Sequence, residues 1–214
     1  MKKTFATLLL SALFCSTLQA QKSASDYKTK LGVKVGSNWS YLTGSAEGLK
    51  KDNKTGFMVS AFYAPTSKGR GFRSEVVFSR QGYSFDNGGS NTEVLNDYIY
   101  LPQLATFGIG KFLQLQAGAQ IGYLLNSKLS KGSKDSTITG LMNRFDYGFA
   151  GGVEIYPFKG LLIGGRYNLG MGKLHKHYED QLTNPNPKPY PLPFDPEKTD
   201  FKNGMFQLFI GYRF

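Results

Sequence analysis

His175 and His177 are the only two histidines of the chain, and their H-x-H spacing would set both imidazoles on one side of an extended segment. With Glu179 and Asp180 close by, weak metal capture is conceivable, yet a closed zinc site wants four ligands. His175 could alternatively serve as base to Ser127 or Ser130, but no G-x-S-x-G turn presents a serine nucleophile. Gly69, Arg70 and Gly71 sit in a short connection and supply tight turn geometry, with no phosphate-cradling pattern around them. These residues point to a chain that is not an enzyme and uses no cofactor or metal.

Two further groups stand out. Lys34, Arg73, Arg166 and Arg213 share polar faces with Glu75, Asp146 and Glu154; enclosed together, they must form ion pairs, because an unpaired charge away from water is costly. The second group lies in the run NPNPKPYPLPFDP, Asn184 to Pro196, where Tyr190 and Phe194 interleave with prolines. Such a run prefers extended polyproline conformation and builds no core. Together with His175 and His177 it forms a candidate surface-recognition loop for a partner protein or polysaccharide; the alternative is a stiff spacer.

The elements that must position these residues are strands. Eight segments alternate with period two at roughly the 9–11 residues of a tilted membrane strand. Leu31, Val33, Val35 and Trp39 oppose Lys34 and Asn38; Phe57, Val59, Ala61 and Tyr63 oppose Met58, Ser60 and Phe62; Phe72, Val76 and Phe78 oppose Arg73, Glu75, Ser79 and Gln81. The fourth segment, Asp97 to Ile109, is apolar on both faces and interrupted by Pro102, with Ile99, Leu101, Ala105, Phe107 and Ile109 as its outward set. Segments five to eight repeat the pattern around Leu113–Tyr123, Phe145–Ile155, Leu161–Leu169 and Met205–Phe214. Short turns follow the second, fourth and sixth segments. Long polar loops, 40–54, 82–96, 126–143 and 171–203, follow the others.

That rhythm predicts an all-β fold: an eight-stranded antiparallel up-and-down transmembrane β-barrel with short periplasmic turns and long extracellular loops. A soluble lipocalin-type binder has the same alternation with the apolar face turned inward. Glycine-rich polar faces and aromatic residues near the strand ends (Trp39, Tyr41, Tyr83, Tyr98 and Tyr123 towards the loops, Tyr63, Phe112, Tyr156, Phe158 and Phe214 towards the turns) favour the membrane. An interior this narrow does not make a porin.

The first twenty residues run from Lys2 and Lys3 through an apolar stretch to Ala20, the order of a secretory signal cleaved after Ala20. A periplasmic segment, 21–30, would then precede a barrel domain over 31–214. Cleavage removes Cys15, and it lowers the net charge from +11 to +9 by removing Lys2 and Lys3. For an exported chain the basic balance suits membrane lipids and lipopolysaccharide phosphates better than nucleic acid, and the envelope would be that of a Gram-negative cell.

The blocks RFDYGFAGGVEIYP (Arg144 to Pro157), GLLIGGRYNLGMG (Gly160 to Gly172), YIYLPQLATFGIG (Tyr98 to Gly110) and FQLFIGYRF (Phe206 to Phe214) resemble the PorT-like outer-membrane β-barrel proteins. Tyr100 stands where that family usually has an acidic residue. The resemblance implies the barrel fold, the outer membrane and an accessory role in a protein-secretion system, with a secretion partner protein. Phe214, with Tyr212 two residues earlier, also resembles the terminal signal read by barrel-insertion machinery. A lipid-modifying barrel enzyme is the remaining alternative and would need His175.

Overall fold

The computed structural model describes residues 28–44, 50–67, 70–86, 91–131, 134–158, 160–175, 192 and 199–214. The expected signal lies outside the described residues, as do His177, Tyr190 and Phe194. Alternation becomes β1 (Lys28–Thr43), β2 (Lys50–Ser67), β3 (Arg70–Asp86), β4 (Asn91–Ile109), β5 (Leu113–Lys131), a short β6 (Lys134–Thr137), β7 (Phe145–Ile155), β8 (Leu161–Gly170) and β9 (Lys202–Arg213). β6 folds back on the end of β5; the other eight pair antiparallel in chain order, and β1 meets β9 to close the sheet.

Tracing paired residues once round the wall leads from Leu31 through Tyr63, Ser74, Gln103, Ala119, Phe149, Leu169 and Gly204 to Tyr41, ten residues further along β1. That stagger tilts the strands by roughly 35–45° and closes a barrel whose interior only side chains can fill.

The wall is inverted relative to a soluble protein. Leu31, Val33 and Val35 are 57%, 47% and 53% exposed, while Lys34 between them is 2% exposed. A lipocalin would bury those aliphatic residues, so the soluble reading is overturned. Lipid is the solvent that accepts such a face, and closure leaves no sheet edge unpaired within it.

Three features differ from the sequence reading. Loops 82–96 and 126–143 are largely strand, since β3 runs to Asp86, β4 starts at Asn91 and β5 continues to Lys131. Period-two alternation fades there because β3 is covered on both faces from Gln81 to Phe85. Tyr83, Tyr98 and Tyr156 are buried inside the barrel and form no part of an interfacial belt. Pro102 does not break β4: the ladder with β5 passes through it opposite Gln120, while the ladder with β3 stops at Ser74 and Gln103 and resumes at Val77 and Tyr100. The missing proline N–H is absorbed on one side only.

Inward glycines make room for rings. A Cβ on Gly122 would stand 2.4 Å from the Tyr100 ring, so β5 has no side chain where β4 sends one across.

Candidate functional site

Five of the seven expected interior charges meet in one buried cluster. Lys34 of β1 lies 2.5 Å from Glu75 of β3 and 2.9 Å from Glu154 of β7. Arg166 of β8 donates from both terminal nitrogens to Glu75, each at 2.8 Å. Arg73 of β3 pairs with Glu154 through Nη1, and its Nη2 donates to Gln114 Oε1 and Tyr156 OH at 2.9 Å. Tyr156 donates to Glu154 Oε2 at 2.7 Å, and Gln116 links Arg166 to Glu154 at 3.1 and 3.3 Å.

Four strands, β1, β3, β7 and β8, deliver these groups because inward positions recur every second residue and the tilt brings distant strands to one depth. The five charged side chains are all at most 2% exposed. Three cations face two carboxylates, leaving one positive charge in excess. Aromatic faces take up part of it: the Lys34 ammonium lies 4.6 Å from the Phe209 ring centre, and the Arg73 guanidinium 4.5 Å from that of Phe62. Such contacts stabilise a desolvated cation by about 2 kcal/mol. Nε of both Arg73 and Arg166 is buried without a hydrogen-bond partner.

The other two expected members do not join. Asp146 sits in a separate polar layer, where it accepts from Tyr100 OH at 3.2 Å, and Arg213 lies near the closing turn with its guanidinium 4.2 Å from the Tyr156 ring centre. Both share the cluster's inward face, but the staggered strands place them at other depths. Around Asp146 are neutral amides: Asn38 donates to Ser79 Oγ at 2.8 Å, Gln207 to Asn38 at 3.0 Å, Asn168 to Gln207 at 3.0 Å and Asn203 to Gln81 at 2.7 Å. The gap lined by Gln81, Tyr100, Gln120, Asp146, Asn168, Asn203 and Met205 is too tight for a water molecule.

Above this layer the buried apolar cluster continues to the long-loop end. Tyr83, Phe85, Val94, Leu129, Ile138, Met142, Leu174, Leu192 and Phe201 pack together. His175 joins them, with Nε2 3.3 Å from Tyr83 OH and its ring edge-on to Phe201. Burial there lowers the His175 pKa to about 4. The imidazole does not meet either candidate serine: Ser127 Oγ donates to Asn96 at 2.6 Å and Ser130 Oγ to Asp135 at 2.6 Å. Among the described residues no group of three acidic, histidine or cysteine side chains is placed to hold a metal. Tyr212 and Phe214 are exposed on the outer wall at the closing end, with their rings edge to face.

The family pattern of the outer membrane protein beta-barrel domain matches residues 19–176, most of the chain. The chain belongs to that family. It is an outer-membrane barrel, and its fold recurs in solved structures. Ail, the attachment invasion locus protein of Yersinia pestis, is 19% identical, with 87% of this chain and 99% of that one covered and a TM-score of 0.50. Neisserial surface protein A is 12% identical, with coverage of 86% and 97% and a TM-score of 0.51. At these identities the likeness is one of fold alone. No curated protein matches the chain.

Tyr156, Gln114 and Gln116 are cluster members that the sequence does not mark as partners of the interior charges. The signal for Tyr156 was present: Phe145, Tyr147, Phe149, Val153 and Ile155 face out of the barrel, so an even-numbered Tyr156 continues the inward face. Its aromatic ring beside the short turn suggested a rim position instead.

Proposed function

We propose that this outer-membrane barrel is a non-enzymatic anchor that holds its extracellular loops out for binding and passes no solute. The observation that carries the reading is the interior seal, in which Glu75 and Glu154 are gripped by Lys34, Arg73 and Arg166 across the lumen. Transport through that level would require taking apart ion pairs that have no water to replace them. The apolar core at the loop end supports the second half of the reading, because it braces the base of the last loop through Leu174, Leu192 and Phe201.

In this reading the chain is exported through a signal cleaved after Ala20, contacts membrane lipids and lipopolysaccharide, and meets a surface partner through the loop containing His177, Tyr190 and Phe194. Planar-bilayer recording of the purified barrel tests it: the trace should match that of a protein-free membrane, and stepwise openings would overturn the proposal. A second reading, an accessory part of a secretion system, draws on the PorT-like sequence blocks. Deletion with an unchanged profile of secreted proteins would sink that one.

A further inference from the structure

The outer wall carries a hydrogen-bonded polar pair inside its apolar band. Ser74 of β3 and Gln103 of β4 are direct cross-strand partners, both half-buried on the lipid-facing side, and Ser74 Oγ donates to Gln103 Oε1 at 2.7 Å. Along β4, Gln103 has Ala105, Phe107 and Ile109 outward on one side and Leu101, Ile99 and Asp97 on the other. Six residues of tilted strand in each direction put it roughly 15 Å from both Ile109 and Asp97, close to the middle of the hydrocarbon. Among the described residues it is the one carboxamide on the outward face of that band, and its Nε2 donors have no protein partner there.

Hydrocarbon offers such a group nothing, and an amide without a hydrogen bond is penalised in lipid. Headgroups and water lie too far from this depth to help. The surroundings are low: Ala119 is the cross-strand neighbour of Gln103 on β5, Ala105 and Ala117 pair beside it, and Gly151 stands opposite Ala117. Small residues let another backbone approach closely within a bilayer.

We infer that the Ser74–Gln103 spot is the contact point of a homodimer, the occupant being a second copy of this chain. A carboxamide carries both a donor and an acceptor, so it complements itself. Two copies inserted in the same sense must be related by a two-fold axis along the membrane normal, and that axis keeps depth unchanged. Gln103 near the axis therefore meets Gln103 of the other copy at its own level, as an isologous interface requires. The inference rests on the membrane-spanning fold and is independent of the loop-display reading.

The test is the dimer fraction of purified barrel, labelled with donor and acceptor dyes, in phosphatidylethanolamine–phosphatidylglycerol vesicles. Wild-type protein should show energy transfer that falls with lipid dilution. Gln103→Leu should weaken association by about fivefold or more, with an unchanged heat-dependent gel shift showing that the barrel is intact. Ala119→Phe, which raises a ring beside the contact, should abolish transfer and serves if Gln103→Leu fails to fold; Leu208→Phe, across the barrel, should leave it unchanged. A monomeric wild type, equal association in Gln103→Leu and Ala119→Phe, or recovery of the barrel only with a different envelope protein would overturn the inference.

Discussion

Arg166 and Glu75 face each other across the barrel interior with two parallel contacts of 2.8 Å, and the same carboxylate also holds Lys34 at 2.5 Å. One acidic group thus joins β1, β3 and β8, strands that are far apart in sequence. The geometry is that of a bidentate guanidinium–carboxylate pair, the most directional of the ionic contacts.

Replacing Glu75 by glutamine would leave Lys34, Arg73 and Arg166 with Glu154 as their sole carboxylate. Breaking a buried pair from one side costs about 3–5 kcal/mol, so the urea midpoint for loss of the folded, heat-modifiable form should fall sharply in Glu75→Gln. A combined Glu75→Gln, Arg166→Gln chain should lose less than the sum of the two single changes, because both remove one interaction. Additive losses would show that the two residues act separately.

Val35→Arg tests which face meets lipid. Val35 is 53% exposed on the outer wall, and an arginine near the bilayer midplane costs roughly 2–4 kcal/mol. Equilibrium refolding into phospholipid vesicles should therefore become less favourable by that amount. Unchanged refolding would mean that Val35 does not face hydrocarbon.

Gly122→Val examines the packing of β4 against β5. The new Cβ would arrive 2.4 Å from the Tyr100 ring, and Tyr100 is itself buried at 3% exposure with its hydroxyl committed to Asp146. Overpacking of this kind costs about 1–3 kcal/mol, readable as a lower urea midpoint. A paired Tyr100→Phe change should not rescue it, since the ring and not the hydroxyl is in the way.

The loop-end core should loosen in acid. His175 is held neutral in the fold, with its pKa lowered from 6.5 to about 4 by burial, so the unfolded chain binds a proton more readily than the folded one. Its contribution is fully present above pH 6.5, declines as pH falls below that value, and is lost near pH 4, by on the order of 3 kcal/mol. The Leu174 amide, which donates to the Phe201 carbonyl at 2.9 Å, reports on this: its hydrogen-exchange protection factor should drop over that range in wild type and stay level in His175→Phe.

Much of the barrel was legible in order along the chain. Lys34, Arg73, Glu75, Glu154 and Arg166 were recognisable as one inward set because a strand alternates sides at every residue, and the short and long connections gave the up-and-down sense. Alternation is a local property, set by backbone geometry alone. It left open whether the apolar face meets lipid or fills a core, and it failed at Tyr83, where both faces of β3 are covered; Tyr98 obeys the alternation and points inward.

The sequence by itself therefore determined the strands, their order and the two unlike faces of the sheet. Only the tertiary structure decided which inward charges meet, because that depends on the ten-residue stagger between first and last contact of β1. A carboxylate such as Asp146 shares the inward face with Glu75 and Glu154 yet lies at another depth, and depth follows from the accumulated tilt of eight strands. The register of β3 against β4 brings Ser74 beside Gln103, a juxtaposition that no spacing along either strand encodes.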